Sequence, residues 1–259
     1  MKEFIRKNES LFYSLITITA LIVIWQIASM TTTMTKVFPA PHQVAAKLYE
    51  MSTGTFAKYT LFQHIGISLQ RVTIAFLAAV VIGVPLGLFM GWSDKFDAFV
   101  KPVFEVIRPI PPIAWIPLAI LWFGVGETPK ISLCFLASLI PIVVNSYTGI
   151  KYVDPLLLNV ALTLGAKPRS VFLEVALPSA LPAIFAGMQN GISVGWMTVV
   201  AAEMFGATRG VGFIILKGQD VSNPTIIVTG MIVIGILGAL ISIAIRSAER
   251  LVCPWKREL

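Results

Sequence analysis

LQRVTIAFLAAVVIGVPLGLFMGW, residues 69–92, carries no charge after Arg71. A helix rises about 1.5 Å per residue and the hydrocarbon core of a bilayer is about 30 Å thick, so some 20 residues of this kind cross it. The stretch predicts a transmembrane helix. Within it Gly83, Gly87 and Gly91 recur every fourth residue and so share one helix face. Such a stripe of small residues serves either tight packing of a neighbouring helix or direct lining of a pore.

Five more apolar stretches of comparable length lie at about 11–30, 102–123, 131–149, 183–202 and 225–246. In a chain of 259 residues, 56% hydrophobic, 13% charged and with a mean hydropathy of +0.84, no soluble core has room for them. The expected fold is all-α: one polytopic membrane domain over 1–259 with six transmembrane helices. The fifth stretch has its own ladder, Gly187, Gly191 and Gly195. In the third, Pro109, Pro111, Pro112 and Pro117 rule out a straight helix and predict a kinked or extended inner half. Pro41–Met51 reads as a short amphipathic helix with Val44, Leu48 and Met51 on one side. The first stretch, preceded by Lys2, Arg6 and Lys7, exceeds a signal-peptide core and offers no convincing small-x-small site over 27–33, so it is expected to be kept as a span.

Basic residues set the topology. With the N-terminus inside, Lys2, Arg6, Lys7, Lys95, Lys101, Lys151, Lys167, Arg169, Arg246, Arg250, Lys256 and Arg257 fall in cytoplasmic segments. Lys36, Lys47, Lys58, Lys130, Arg209 and Lys217 fall outside, and this asymmetry predicts both termini in the cytoplasm. The net charge of +7 reads as topology signal and contact with anionic lipid, since no basic face with interleaved aromatics suggests nucleic acid. Cys134 and Cys253 are too far apart for a disulfide framework or a metal site, and His42 and His64 stand alone as surface or interfacial residues. There is no G-x-x-x-x-G-K-[ST] loop, so an ATP-driven process would need a second polypeptide to bind ATP and Mg. Neither G-x-S-x-G nor H-E-x-x-H is present.

Pro155–Val171 is too polar to span, yet carries apolar residues at helical spacing on the cytoplasmic side, the signature of a docking segment over 153–172. It contains Asn159-Val160-Ala161-Leu162-Thr163-Leu164-Gly165-Ala166, then Lys167, and later Val175-Ala176-Leu177-Pro178. A glycine between helical pieces permits a sharp bend, and Leu177-Pro178 is expected to close the second piece. This stretch resembles the EAA loop of the binding-protein-dependent permeases of ABC importers: E-A-A, three residues, Gly, nine residues, Ile-x-Leu-Pro. Ala161, Gly165, Val175, Leu177 and Pro178 keep the spacing, while Asn159 and Val160 replace Glu and Ala. Arg108-Pro109-Ile110-Pro111-Pro112, Trp122-Phe123-Gly124-Val125-Gly126-Glu127, Leu177-Pro178-Ser179-Ala180-Leu181-Pro182 and Ala201-Ala202-Glu203-Met204 extend the likeness to the nitrate/sulfonate/taurine branch. The resemblance implies a type I permease fold in the bacterial inner membrane and a homodimer with two cytoplasmic ATP-binding subunits. It further implies an extracytoplasmic substrate-binding protein and alternating access driven by ATP. The implied cargo is taurine or another sulfonate, with nitrate, bicarbonate or an aromatic acid behind; a self-contained secondary transporter or intramembrane enzyme is the alternative class.

Polar groups at membrane depth are costly and tend to be paired or functional. Arg71 lies near the outer start of the second span. Glu105 and Arg108, three residues apart, are either an interfacial ion pair or part of a gate. Glu203, at the outer end of the fifth span, is either a contact or mouth-lining charge for a binding protein or a capping residue. Gln189, where many relatives have Arg, shares a face with Ser193 and Trp196, and these three either line the pathway or bond between helices.

Overall fold

The computed structural model describes residues 9–30 and 38–255. Lys2, Arg6, Lys7, Lys36, Lys256 and Arg257, which weigh in the charge balance, lie outside them. Helices occupy α1 Glu9–Met30, α2 Pro41–Thr53, α3 Leu61–Trp92, α4 Asp94–Ile107, α5 Ile116–Phe123, α6 Glu127–Lys151, α7 Pro155–Thr163, α8 Leu177–Glu203, α9 Val211–Asp220 and α10 Pro224–Val252. Among the described residues five helices are long and apolar enough to cross a bilayer, and a bent pair makes a sixth. The all-α expectation holds apart from a two-stranded hairpin, β1 Thr55–Phe56 with β2 Tyr59–Thr60.

The chain divides into two compact units, 1–64 with 214–233 and 65–213 with 234–259. In the first, the Trp25 indole donates to Pro39 O at 3.0 Å and ties α1 to the start of α2. Val44 and Met51 are buried on the expected face of α2. His64 is a correction to the sequence reading: it is wholly buried, its ring between those of Phe56 and Tyr59, with Nε2 3.1 Å from Phe56 O. The α9–α10 hairpin is close-packed, since a Cβ on Gly218 would lie 2.9 Å from Ile227 Cγ1. Asn223 Oδ1 starts α10 by accepting from Thr225 N at 3.0 Å.

The second unit is organised around α6. Its expected boundaries, 131–149, extend to Glu127–Lys151, and those of the second and sixth spans widen to Leu61–Trp92 and Pro224–Val252. Both glycine ladders face it. A Cβ on Gly87 would sit 2.5 Å from Val143 O, and one on Gly91 2.7 Å from Tyr147 O. On α8, a Cβ on Gly187 would sit 2.6 Å from Asn145 Cβ, and one on Gly191 2.8 Å from Ser138 O. Thus α3 and α8 each approach α6 at backbone range, and the packing role of the stripes is the one the structure displays.

The expected third span is broken. After α4 the chain makes a 3₁₀ turn, Pro112–Trp115, and then α5, with a bend of 81° between the two parts. Prolines 109, 111 and 112 remove three amide donors in four residues, so the helix ends and restarts. The fifth span starts earlier than expected. Leu177-Pro178 does not close a helix, because the chain is helical from Pro168 through a π turn at Val171–Ala176 into α8. Pro178 has no amide hydrogen to donate, and the wider turn, with Leu177 N donating to Phe172 O, carries the helix past it.

Candidate functional site

The motif segment builds a short helix with defined ends. Asp154 caps α7 by accepting from Leu156 N at 2.8 Å, and Pro155 occupies the first turn, where no amide donor is needed. At the other end Gly165 takes φ +83°, Gly165 N donates to Leu162 O at 3.0 Å and Ala166 N to Ala161 O at 3.1 Å. That paired pattern is a Schellman C-cap, so Ala161, Gly165 and Ala166 of the sequence motif are the residues that stop the helix and turn the chain. No residue of α7 is buried, and Leu156, Val160 and Leu164 expose 65%, 49% and 82% of their surface in a row at helical spacing. Asn159 is exposed, its carbonyl accepting from Thr163 Oγ1. Lys167 and Arg169 are exposed beside it, while Leu177 and Pro178 are half-buried. The segment is anchored from behind: Ile150, Val153, Ala176, Ala180 and Ile184 form a buried cluster on which Leu158 of α7 packs.

A second constellation joins groups distant in sequence. Arg71 is 1% exposed and makes a two-pronged contact with Glu127, Nε to Oε2 at 2.5 Å and Nη2 to Oε1 at 2.7 Å. Its Nη1 donates to Glu203 Oε1 at 2.6 Å and to Arg209 O at 3.0 Å. Ser68 Oγ donates to Glu203 Oε1 at 2.6 Å and accepts from Val211 N at 3.0 Å, and Gly212 N donates to Glu203 Oε2 at 2.9 Å. Glu203 is fully buried, so Arg71 and Glu203 are partners inside the protein rather than separate groups at a mouth. Sequence reasoning singled out both but not their pairing. It missed Glu127 and Ser68, which lie at the beginnings of spans and look like ordinary flanking residues. The cluster knots together the starts of α3 and α6, the end of α8 and the loop into α9. At the other end of α3, Lys151 Nζ donates to Asp94 Oδ1 at 2.7 Å. Residues 71, 127, 203 and 209 meeting at one end, and 94 and 151 at the other, is the alternation that successive crossings require.

The remaining candidates are dispersed. Trp196 is buried, Nε1 donating to Ile234 O at 3.2 Å, and Gln189 Nε2 reaches Ser242 Oγ at 3.4 Å, so both address α10. Ser193 is exposed and bonds back to Gln189 O. Glu105 and Arg108 form a loose pair at 3.5 Å, about half exposed on each side, on α4.

Residues 83–258 match the family of binding-protein-dependent transport system inner membrane components. The chain is 38% identical to the taurine transport system permease protein TauC of Escherichia coli, over 92% of this chain and 87% of that one. It is 33% identical to the nitrate import permease protein NrtB of Synechocystis, over 94% of this chain and 90% of that one. Among solved structures it is similar to the MetNI methionine ABC transporter in an inward-facing form, with a TM-score of 0.65 at 21% identity, covering 74% of this chain and 95% of that one. The fold is that of an ABC importer permease. The chain belongs to the family of binding-protein-dependent transport system inner membrane components, the non-catalytic, membrane-spanning part of a multi-subunit importer.

Proposed function

We propose that this chain is the permease subunit of an ATP-driven importer for a small organic anion or zwitterion, taurine or another sulfonate first, in the nitrate/sulfonate/taurine branch. The names of its relatives support the cargo class, and the exposed, doubly capped α7 carries the assignment of role. An apolar row that a soluble surface would hide, flanked by Lys167 and Arg169 and held on a buried cluster, is built for a partner's groove. The partner is the ATPase: a homodimer of this chain carries two such helices into two ATP-binding subunits, which hold the nucleotide and Mg. A binding protein delivers cargo to the opposite side. ATP binding to the ATPases favours one of two arrangements of the spans, which is alternating access as a population shift. The excess of basic residues on the α7 side supports a cytoplasmic position for that side and for both termini.

Replacing Gly165 by leucine tests this reading. No atom lies within 4 Å of a Cβ built on Gly165, so the cost is only that of holding a branched residue at φ +83°, about 1–2 kcal/mol. The expected result is a folded, membrane-inserted protein that no longer retains the ATPase on co-purification. Retention equal to the parent would remove α7 as the dock. A double reversal, Lys167→Glu with Arg169→Glu, is expected to leave the melting temperature within about 2 °C while lowering transport-coupled ATP hydrolysis severalfold, since exposed charges contribute little to folding. Unchanged coupling would argue that the flanking charges take no part.

A further inference from the structure

Exposure on α8 is confined to one line. From Leu177 to Glu203 the exposed residues are Ser179, Asn190, Ser193 and Met197. With 3.6 residues per turn all four fall within an arc of about 60°. The rest of the helix is buried or half-buried, since it packs on α6 through its glycines and reaches α10 through Gln189 and Trp196.

The composition of this line is unlike that of the other exposed faces. Residues 74–89 of α3 and 231–244 of α10 expose no polar side chain, as lipid requires. On α8 an amide and a hydroxyl are exposed halfway along. Asn190 stands about 20 Å from either end of the helix, a depth at which a bilayer has no hydrogen-bonding partner to give. Ser193 Oγ donates back to Gln189 O at 2.8 Å, which occupies its single hydrogen. The Asn190 side chain bonds to none of the described residues, so two N–H donors and a carbonyl oxygen stand open. Polar groups at this depth border water or a ligand.

We propose that this line is the part of α8 that lines the translocation pathway, with Asn190 the group that hydrogen-bonds cargo at mid-depth. The ligand class is a small oxyanion, a sulfonate, carboxylate or nitrate, whose oxygens accept from Asn190 Nδ2. The nearest charged residues along the helix are Glu174 and Glu203, so the contact is a neutral one. It replaces part of the anion's hydration without holding it as a cation would, and passage requires a site that also lets go. The proposal rests on the reading of the chain as a permease for small anions. It deepens that reading by moving the lining role from Gln189 and Trp196, which address α10, to Asn190 beside Ser193 and Met197.

The test is thiol labelling in membranes that carry the complete importer, with reagent on both sides. Cys134 and Cys253 are buried, so the parent supplies the background. Asn190→Cys and Ser193→Cys are compared with Val81→Cys, a control 72% exposed on the apolar face of α3. The reagent is the anionic sulfonatoethyl methanethiosulfonate, which reacts with a thiolate in water. Position 190 is expected to react at least about tenfold faster than position 81, because a thiol in apolar surroundings does not ionise. Uptake of whichever of taurine, ethanesulfonate and nitrate the parent transports is expected to fall about tenfold in Asn190→Leu and to survive in Asn190→Gln, which keeps the amide. Labelling at 190 no faster than at 81 overturns the pathway, as does oxidative cross-linking of Asn190→Cys between two copies without labelling, which would put the line at a contact between permeases. Either outcome leaves ATPase retention through α7 untouched; absence of any ATPase from the unaltered chain would instead remove the permease reading.

Discussion

Arg71→Met is expected to be the most damaging single substitution in the protein. It leaves the Glu203 carboxylate fully buried with its cation gone, and removes the donor that Arg71 gives to the Arg209 carbonyl. Breaking one side of a buried ion pair costs about 3–5 kcal/mol, most of it from the charge left behind. The measurement is the thermal unfolding midpoint of the detergent-solubilised protein, followed by monodispersity on gel filtration. Adding Glu203→Gln to the same chain should restore much of the loss, since the amide oxygen still accepts from Gly212 N and the amide NH2 can donate to Ser68 Oγ, while the uncompensated charge is gone. Glu127→Gln alone should be mild, about 1 kcal/mol or less, because that side chain is 48% exposed and water can replace its partner. A variant Arg71→Met that melts with the parent, or that gains nothing from Glu203→Gln, would show that the cluster does not hold these ends together.

The second large effect lies in the glycine ladder of α3. Gly87→Ala puts a methyl group 2.5 Å from the Val143 carbonyl and 2.6 Å from Ser146 Cβ. Backbone cannot step aside as a side chain can, so α3 and α6 must separate, at a cost toward the upper end of the 1–3 kcal/mol typical of overpacking, about 3 kcal/mol. Gly83→Ala should cost about 1 kcal/mol, because the contacts there, 3.0–3.4 Å, are to the side chains of Ile142 and Leu139. Gly66→Ala meets nothing within 4 Å and should be neutral or slightly stabilising, through helix propensity. The order Gly87, Gly83, Gly66 in loss of thermal stability is the result to check. An even loss across the three would mean that helix propensity, and not contact with α6, sets the effect.

Hydropathy locates every span because lipid imposes a length and an apolar composition that little else in a protein sequence satisfies. The prolines of the third span announce its break, and the ladders announce close packing. The α7 segment is legible as a helical piece bent at Gly165, while the left-handed backbone there and the cap that it makes through Leu162 and Ala161 are structural findings. Where the reading failed, a local rule was overridden. Leu177-Pro178 looks like a terminator, but a π turn absorbs the missing amide, and no local signal marks a helix that widens instead of stopping.

What the sequence by itself determined is therefore whatever depends on neighbours along the chain: the spans, the break in the third, the bend at Gly165 and the stripes on one helix face. Only the tertiary structure decided which distant groups meet. It put α6 between both ladders, Glu127 and Glu203 on the same arginine across 56 and 132 residues of chain, and Tyr147 between Asp97 and Lys101. The physical reason is that a helix face is set by the 3.6-residue period, whereas the face opposite it is set by how whole helices pack, and packing leaves no mark at any single position. A lone Arg71 at the start of an apolar run reads the same whether it faces a pore, a lipid headgroup or two buried carboxylates.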